Sequence, residues 1–307
     1  MTPDCERLLD QAAQGDGLVI VLTGAGISAE SGIPTFRGPE GYWTVGSRVY
    51  MPQDLATRAT FDRMPEEVWR WYLYRLGVCW QAEPNPAHHA VADLERALAD
   101  RFLLITQNVD GLHLRAGNSR ARTYEIHGSI NFMRCTRECT PGIEPIPGPL
   151  RDWWGRLDRS VGGTAKDAAG RSPAGGGGFA AAGAPPLDEG DLAHLHCQRC
   201  GAWRRPHVLW FDEYYDEEHY RYDSSVAAAA RADLVIVVGT SGATNLPNQV
   251  AQIAARRGAA IVLVDPVSSP FADLAGRTGS WIKGPAGQCL PPLVTRLADY
   301  SRGRPGS

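Results

Sequence analysis

Thr23-Gly24-Ala25-Gly26-Ile27-Ser28-Ala29-Glu30-Ser31-Gly32-Ile33-Pro34-Thr35-Phe36-Arg37 is the stretch that decides how this chain is read. Just before it, Leu18-Val19-Ile20-Val21-Leu22 is a short apolar run rich in β-branched residues. That is the pattern of a strand buried on both faces of a parallel sheet. The run passes into glycines that permit a tight turn and let a diphosphate approach the backbone. Amide groups at a following helix start would then face the negative charge. Gly24-x-Gly26-x-x-Ala29 fits the dinucleotide fingerprint, although glycines in such a turn also serve as plain punctuation. A hydride-transfer domain would continue into a full helix and a second strand with an acidic residue about 20 positions on. Here Gly32 and Pro34 stop the helix within two turns. Phe36, Arg37, Gly38, Gly41, Tyr42 and Trp43 follow as an aromatic, basic loop that reads as a lid over the ligand.

Composition narrows the function classes. A chain of 307 residues suits one large domain with a smaller one inserted. The formal net charge of −3 offers no electrostatic footprint for nucleic acid. No apolar run reaches the roughly 18 residues of a membrane span. Met1-Thr2-Pro3-Asp4-Cys5-Glu6 has neither the basic nor the apolar region of a secretory leader. Seven cysteines, four of them in two close pairs, read as reduced thiols plus a metal, which suits the cytoplasm.

Further apolar runs predict further strands. They are Phe102-Leu103-Leu104-Ile105-Thr106, Tyr124-Glu125-Ile126, Asp233-Leu234-Val235-Ile236-Val237-Val238 and Ala260-Ile261-Val262-Leu263-Val264. Each is followed by polar residues, and open α/β sheets place their ligands at such strand ends. Helices are expected over 5–14, from Pro52 to about Gln81, and from Ala87 to Leu98. The Gly- and Ala-rich stretch at 162–185 carries almost no large apolar residue and is expected to be a mobile loop. Cys135-x-x-x-Cys139 and Cys197-x-x-Cys200 read as a tetrahedral zinc site on two knuckles. His194 and His196 lie beside the second pair, so a site of three cysteines and one histidine stays open at this point. Four protein ligands leave no open position, so this metal should not carry out a reaction.

Taken together, these blocks resemble the sirtuins, the NAD-dependent protein deacylases. The likeness is carried by Gly24 to Arg37, Thr106-Gln107-Asn108-Val109-Asp110, His127-Gly128, the four cysteines, Arg205-Pro206-His207-Val208-Leu209-Trp210-Phe211 and Gly239-Thr240-Ser241. They fall in the family's order and span the chain except its ends and the region near 141–192. The resemblance implies an α/β fold: a Rossmann-like parallel sheet with helices on both faces, a small zinc-ribbon domain and a helical module. The Rossmann-like domain would comprise 1–133 and 207–303, with a helical and cofactor-loop module at 36–85. The zinc domain would span 134–206.

The resemblance also assigns roles. His127 would be the general base, since imidazole with a reference pKa near 6.5 can take a ribose hydroxyl proton near neutral pH. Gly24, Ala25, Gly26, Ser28, Ser31, Thr35, Phe36, Arg37, Tyr42 and Trp43 would line the NAD pocket. Gln107, Asn108 and Asp110 would hold the nicotinamide and its ribose. Gly239, Thr240, Ser241, Asp265 and Ala286 would complete the cofactor set. Val208, Trp210 and Phe211 would form an apolar tunnel for the acyl-lysine, with plain core packing the competing reading of Trp210. In the implied reaction the acyl oxygen attacks the nicotinamide ribose, nicotinamide leaves, and the acyl group passes to ADP-ribose. NAD is consumed as co-substrate, and the partners are acylated lysines of proteins, with no nucleic acid or membrane.

The text around Val68-Trp69-Arg70-Trp71-Tyr72-Leu73-Tyr74-Arg75 resembles the desuccinylase and demalonylase branch. There a Tyr-x-x-Arg pair, here Tyr72 and Arg75, binds an acidic acyl end, and a small residue at the place of Ala56 leaves room for it. By spacing alone, a core tyrosine beside a surface arginine is the simpler reading. Three departures stand out: Asp212 replaces the family's glycine, Gly242 to Pro247 replaces an apolar continuation, and Asp265 replaces an asparagine. Asp212 is expected to alter peptide docking. An NAD glycohydrolase or mono-ADP-ribosyltransferase on the same scaffold is the competing enzyme reading. A non-catalytic NAD or zinc interaction module is the competing non-enzyme.

Overall fold

The computed structural model describes residues 2–33, 43–45, 48–140, 142–156, 179–180 and 184–302. They divide into two compact units. The first comprises Met1–Gly32, Glu83–Gly128 and Tyr215–Ser307; the second comprises Ile33–Ala82 and Ser129–Tyr214. The helical module and the cysteine-bearing segment therefore share one unit, where the sequence reading kept 134–206 apart.

The first unit is built on a six-stranded sheet. Its strands are β1 (Leu18–Thr23), β2 (Phe102–Thr106), β3 (Thr123–Glu125), β4 (Ala232–Val238), β5 (Ala260–Val264) and β6 (Gly279–Ile282). All neighbours pair in parallel, in the order β6-β5-β4-β1-β2-β3. That is the doubly wound order, and it reverses direction beside β1. The apolar runs are continuous because both faces are covered. Val19, Val21, Leu104, Ile236 and Val262 pack under helices Pro3–Gln14, Pro86–Leu98 and Ala286–Arg302. Ile20, Leu22, Ile105, Val237 and Leu263 pack under Tyr222–Ala229, Asn245–Arg256 and Pro270–Thr278. Each fully buried aliphatic side chain contributes about 1.5–3 kcal/mol, and a one-residue slip would exchange the two faces.

The turn after β1 is a 3₁₀ helix, Ala25–Ser31, that ends at Gly32 in the left-handed region. Its two turns match the short helix expected from Gly32 and Pro34. Gly26 donates its N–H to Gly239 O at 2.8 Å, and a Cβ on Gly26 would lie 2.6 Å from the Gly239 Cα. Gly239 itself has φ +59°. These glycines are thus required where the chains leaving β1 and β4 touch backbone to backbone.

In the second unit, helix Pro65–Gln81 follows two short helices, Pro52–Leu55 and Arg58–Arg63. A three-stranded sheet has Gly128–Cys135 at its centre, flanked by Glu144–Pro145 and Arg204–Val208. A second small sheet joins Trp43–Val45, Arg48–Tyr50 and Phe179–Ala180. The stretch expected to be a loop throughout therefore supplies a strand at Phe179–Ala180, paired with Trp43 and Thr44. Just beyond it, Arg70 donates to the carbonyls of Ala184 (2.5 Å) and Pro185 (3.0 Å) and fixes them to the long helix. The rest of 162–183 lies outside the described residues. Among the described residues, no helix is long and apolar enough to cross a membrane.

Candidate active site

Because the sheet is parallel, β1 to β5 end on one edge, and the polar residues after them converge there. Gln107 is the hub. Its side-chain NH₂ donates to Thr240 Oγ1 at 2.8 Å and to Thr23 O at 3.2 Å, while its Oε1 accepts from Thr244 Oγ1 at 3.0 Å. Its backbone carbonyl lies 3.0 Å from His127 Nδ1. A carbonyl only accepts, so Nδ1 carries the proton and Nε2 keeps its lone pair. Nε2 lies 2.8 Å from the Tyr215 hydroxyl, which therefore donates to it. Burial pushes the His127 pKa down to about 4, against the opposing pull of the Gln107 carbonyl. The ring is neutral at physiological pH and can accept a proton.

A second cluster lies under the glycine turn. Ser28 Oγ donates to Asp110 Oδ2 at 2.8 Å and accepts from Asn108 Nδ2 at 3.0 Å. His88 Nε2 is 3.3 Å from the same hydroxyl, and His88 Nδ1 accepts the Asn85 N–H at 3.3 Å. That fixes the tautomer: Nε2–H donates to Ser28. Burial, with some repulsion from His89, takes His88 down to about 4. Asn85 adds bonds to Ile27 O (2.7 Å) and Ser31 Oγ (3.0 Å), while its Oδ1 caps helix Pro86–Leu98. Neither His88 nor Asn85 was singled out from sequence. Asn before Pro is a helix-start signal that marks Asn85.

Thr240, Ser241, Asp265 and Ala286, also named for the cofactor, lie on the same unit. Asp265 directly follows β5; burial raises its pKa, and its Oδ1 accepts the Val267 N–H at 2.8 Å. Ala286 is buried at the start of the last helix, whose Gly287 N–H donates to the Glu30 carboxylate at 2.7 Å. Ser241 is exposed, whereas Thr240 is buried. Thr35, Phe36, Arg37 and Tyr42 lie outside the described residues, and Trp43 is described only as the start of a short strand.

In the second unit, the sulfurs of Cys135, Cys139, Cys197 and Cys200 all lie within 4.8 Å of one another. Sulfur–sulfur separations of 3.4–3.6 Å suit the edges of a tetrahedron with metal–sulfur bonds of about 2.3 Å. Backbone N–H groups of Arg199 and Cys200 draw Cys197 down to about 6, which favours thiolate. His196 Nδ1 sits 3.2 Å from Gly201 O, and its ring packs 4.3 Å from that of Trp203. Among the described residues, the metal-ligating cluster is the four cysteines. A structural zinc fits them.

Of the residues named for the acyl-lysine, Val208 and Trp210 are buried and Phe211 is 58% exposed. Trp210 donates its indole N–H to the Tyr72 hydroxyl at 3.0 Å, and the Arg205 guanidinium lies 3.5 Å over its ring. Glu213 closes this segment through Arg205 and the Trp210 N–H, and despite burial that pair holds its carboxyl below the usual range. Ala56 is buried, and its carbonyl accepts the Phe211 N–H at 2.9 Å. Tyr72 is buried, as the simpler reading required, but Arg75 is only half-exposed, with its guanidinium 5.4 Å from the Trp71 ring.

Residues 24–245 match the Sir2 family model. The chain belongs to the Sir2 family. An NAD-dependent protein deacylase of Leptospira interrogans is 36% identical over 284 residues, covering 92% of this chain and 93% of that protein. NAD-dependent protein deacylase 2 of Pyrobaculum aerophilum is 38% identical over 288 residues, covering 93% of each. A solved Sir2 homologue in complex with NAD superposes with a TM-score of 0.71 at 33% identity, covering 96% of this chain and 94% of that one. A further Sir2 homologue, bound to 2′-O-acetyl ADP ribose, also gives 0.71 at 33% identity, with 97% of both chains covered. Sirtuin membership agrees with the fold expected from sequence, the parallel sheet with helices on both faces.

Two residues at the histidine of this sirtuin, Tyr215 and Thr244, were not anticipated. No periodicity marks Tyr215, which sits among Tyr214, Asp216, Glu217 and Glu218 as if in a polar loop. Thr244 belongs to the departure after Ser241, and the bond to Gln107 gives that departure a use.

Proposed function

We propose that this chain is an NAD-dependent protein lysine deacylase that moves an acyl group from lysine to ADP-ribose with release of nicotinamide. The observation that carries the reading is the neutral His127, its Nδ1 fixed by Gln107 O at 3.0 Å so that Nε2 keeps its lone pair, just after β3. A base in that tautomer can take a proton from a ribose hydroxyl. Ser28, Asn108 and Asp110 supply hydroxyl, amide and carboxylate groups suited to the nicotinamide and its ribose. The turn Gly239-Thr240-Ser241, tied to Gln107, serves the adenosine side.

NAD is a co-substrate here; the chain's own contribution is to bind it, exclude water and hold the proton acceptor. The four cysteines hold a structural zinc that takes no part in the reaction, since all four positions are filled by protein.

The finer reading is a preference for succinyl- and malonyl-lysine, with acetyl-lysine also used. Arg75 supports it, because a guanidinium can pair bidentately with a carboxylate. Tyr72 supports it as well: it lies three residues before Arg75 on the same helix, and its hydroxyl is held by the Trp210 indole N–H at 3.0 Å. Cysteine usage points to the cytoplasm.

Mass spectrometry of acetyl, malonyl and succinyl peptides incubated with NAD tests this. Peptide-dependent nicotinamide release is expected, abolished for free lysine formation in His127→Ala. Nicotinamide release without any acyl peptide would reject it in favour of NAD hydrolysis.

A further inference from the structure

His127 Nε2 does not face open solvent in this chain. The Tyr215 hydroxyl lies 2.8 Å away, with the two rings 5.8 Å apart and inclined by 31°. Tyr215 is held by its surroundings: it stacks on Tyr222 at 6.4 Å and packs against the sheet-face core containing Ile126 and Leu246. Thr244 bonds Gln107 Oε1, and the Gln107 carbonyl holds His127 Nδ1. Four residues thus form one chain of hydrogen bonds: Tyr215, His127, Gln107 and Thr244. The only lone pair that His127 can offer is already engaged by a hydroxyl.

We propose that Tyr215 is a catalytic residue that relays the substrate proton to His127. This rests on the deacylase reading of the same histidine. In the step, the ribose O–H bond breaks and its proton goes to the Tyr215 oxygen. The Tyr215 O–H proton passes at the same time to His127 Nε2. The products are a nucleophilic ribose oxygen, a neutral tyrosine and an imidazolium, so charge and protons balance. Reversal through the same pair returns the proton to a later leaving oxygen.

The two transfers must be concerted. Burial raises Tyr215 to about 12, while His127 lies at about 4. A free phenolate beside an imidazolium would therefore be far uphill, and tyrosine can give its proton only while gaining another. A hydroxyl that both donates and accepts is suited to this, whereas a bare phenyl ring is not.

Tyr215→Phe removes the oxygen and keeps the ring. Single-turnover reactions with NAD and an acyl peptide should show nicotinamide formed within about twofold of the parent rate. Deacylated peptide should form at least tenfold more slowly. The proton inventory of the parent in mixed light and heavy water should curve, as two protons in flight require, and Thr244→Val should retain that curvature. Thermal melts of both variants check that the fold is kept. Unchanged deacylation in Tyr215→Phe, equal slowing of both steps in a folded variant, or a linear inventory in the parent would each overturn the relay. A parent that forms no deacylated peptide would instead reject the underlying deacylase reading, and the relay with it.

Discussion

The Asp212 carboxylate accepts the backbone N–H of Arg58 at 2.7 Å, and its other oxygen accepts that of Ala59 at 3.1 Å. These are the first two amides of helix Arg58–Arg63, while Thr57 Oγ1 takes the third, from Thr60, at 3.1 Å. The residue expected from sequence to disturb peptide docking is engaged as a helix cap. Asp212 is not among the described non-glycine residues with positive φ, so its backbone does not need a glycine.

Asp212→Gly should therefore destabilise the protein, by about 1 kcal/mol as for other exposed caps. Urea denaturation of the variant and parent measures it, and an unchanged midpoint would contradict the assignment. Deacylation of a saturating peptide should change little.

Acid should weaken the first unit through its histidines. Burial lowers His88 and His127 to about 4 and takes His113 well below its ordinary value. Between about 6.5 and 4 the unfolded chain binds protons that the folded chain refuses. Stability should thus fall as pH drops through that window, by up to about 1.4 kcal/mol per pH unit for each such histidine, and these groups should impose no slope above it. Unfolding midpoints at pH 7 and pH 5 should differ, and the difference should shrink in His88→Gln. An equal difference in both proteins would argue against the histidine origin.

The cysteine cluster should contain one zinc per chain by elemental analysis. Cys197→Ser should lose it, and His196→Ala should keep it, because His196 is directed at Gly201 O. Structural zinc contributes on the order of 10–16 kcal/mol in small modules, so a strong chelator should unfold the cysteine-bearing segment. Full zinc content in Cys197→Ser would refute the four-cysteine site.

Arg75→Met should slow removal of succinyl and malonyl groups by about 10- to 150-fold, the worth of a hydrogen bond to a charged partner. Acetyl removal should stay within a few-fold of the parent. Equal losses on all three peptides would eliminate the acidic-acyl preference while leaving the deacylase reading intact.

The continuous apolar runs marked β1, β2, β4 and β5 without any structure, because a strand covered on both faces needs aliphatic residues at every position, whereas the half-buried β6, Gly279–Ile282, carries no such run. β2 and β5 begin and end where the runs do. The glycines of the turn and the paired cysteines were equally legible, since a tight turn and a metal knuckle are local chemistry. The last helix was less so: Pro291 and Pro292 within Ala286–Arg302 look like breakers. Only the tertiary structure could bring Tyr215 to a histidine 88 residues earlier, seat His88 beneath Ser28, or send Asp212 to a helix 153 residues away. Those contacts depend on strand order and register, which place side chains from distant segments at one edge, and no spacing along the chain encodes them.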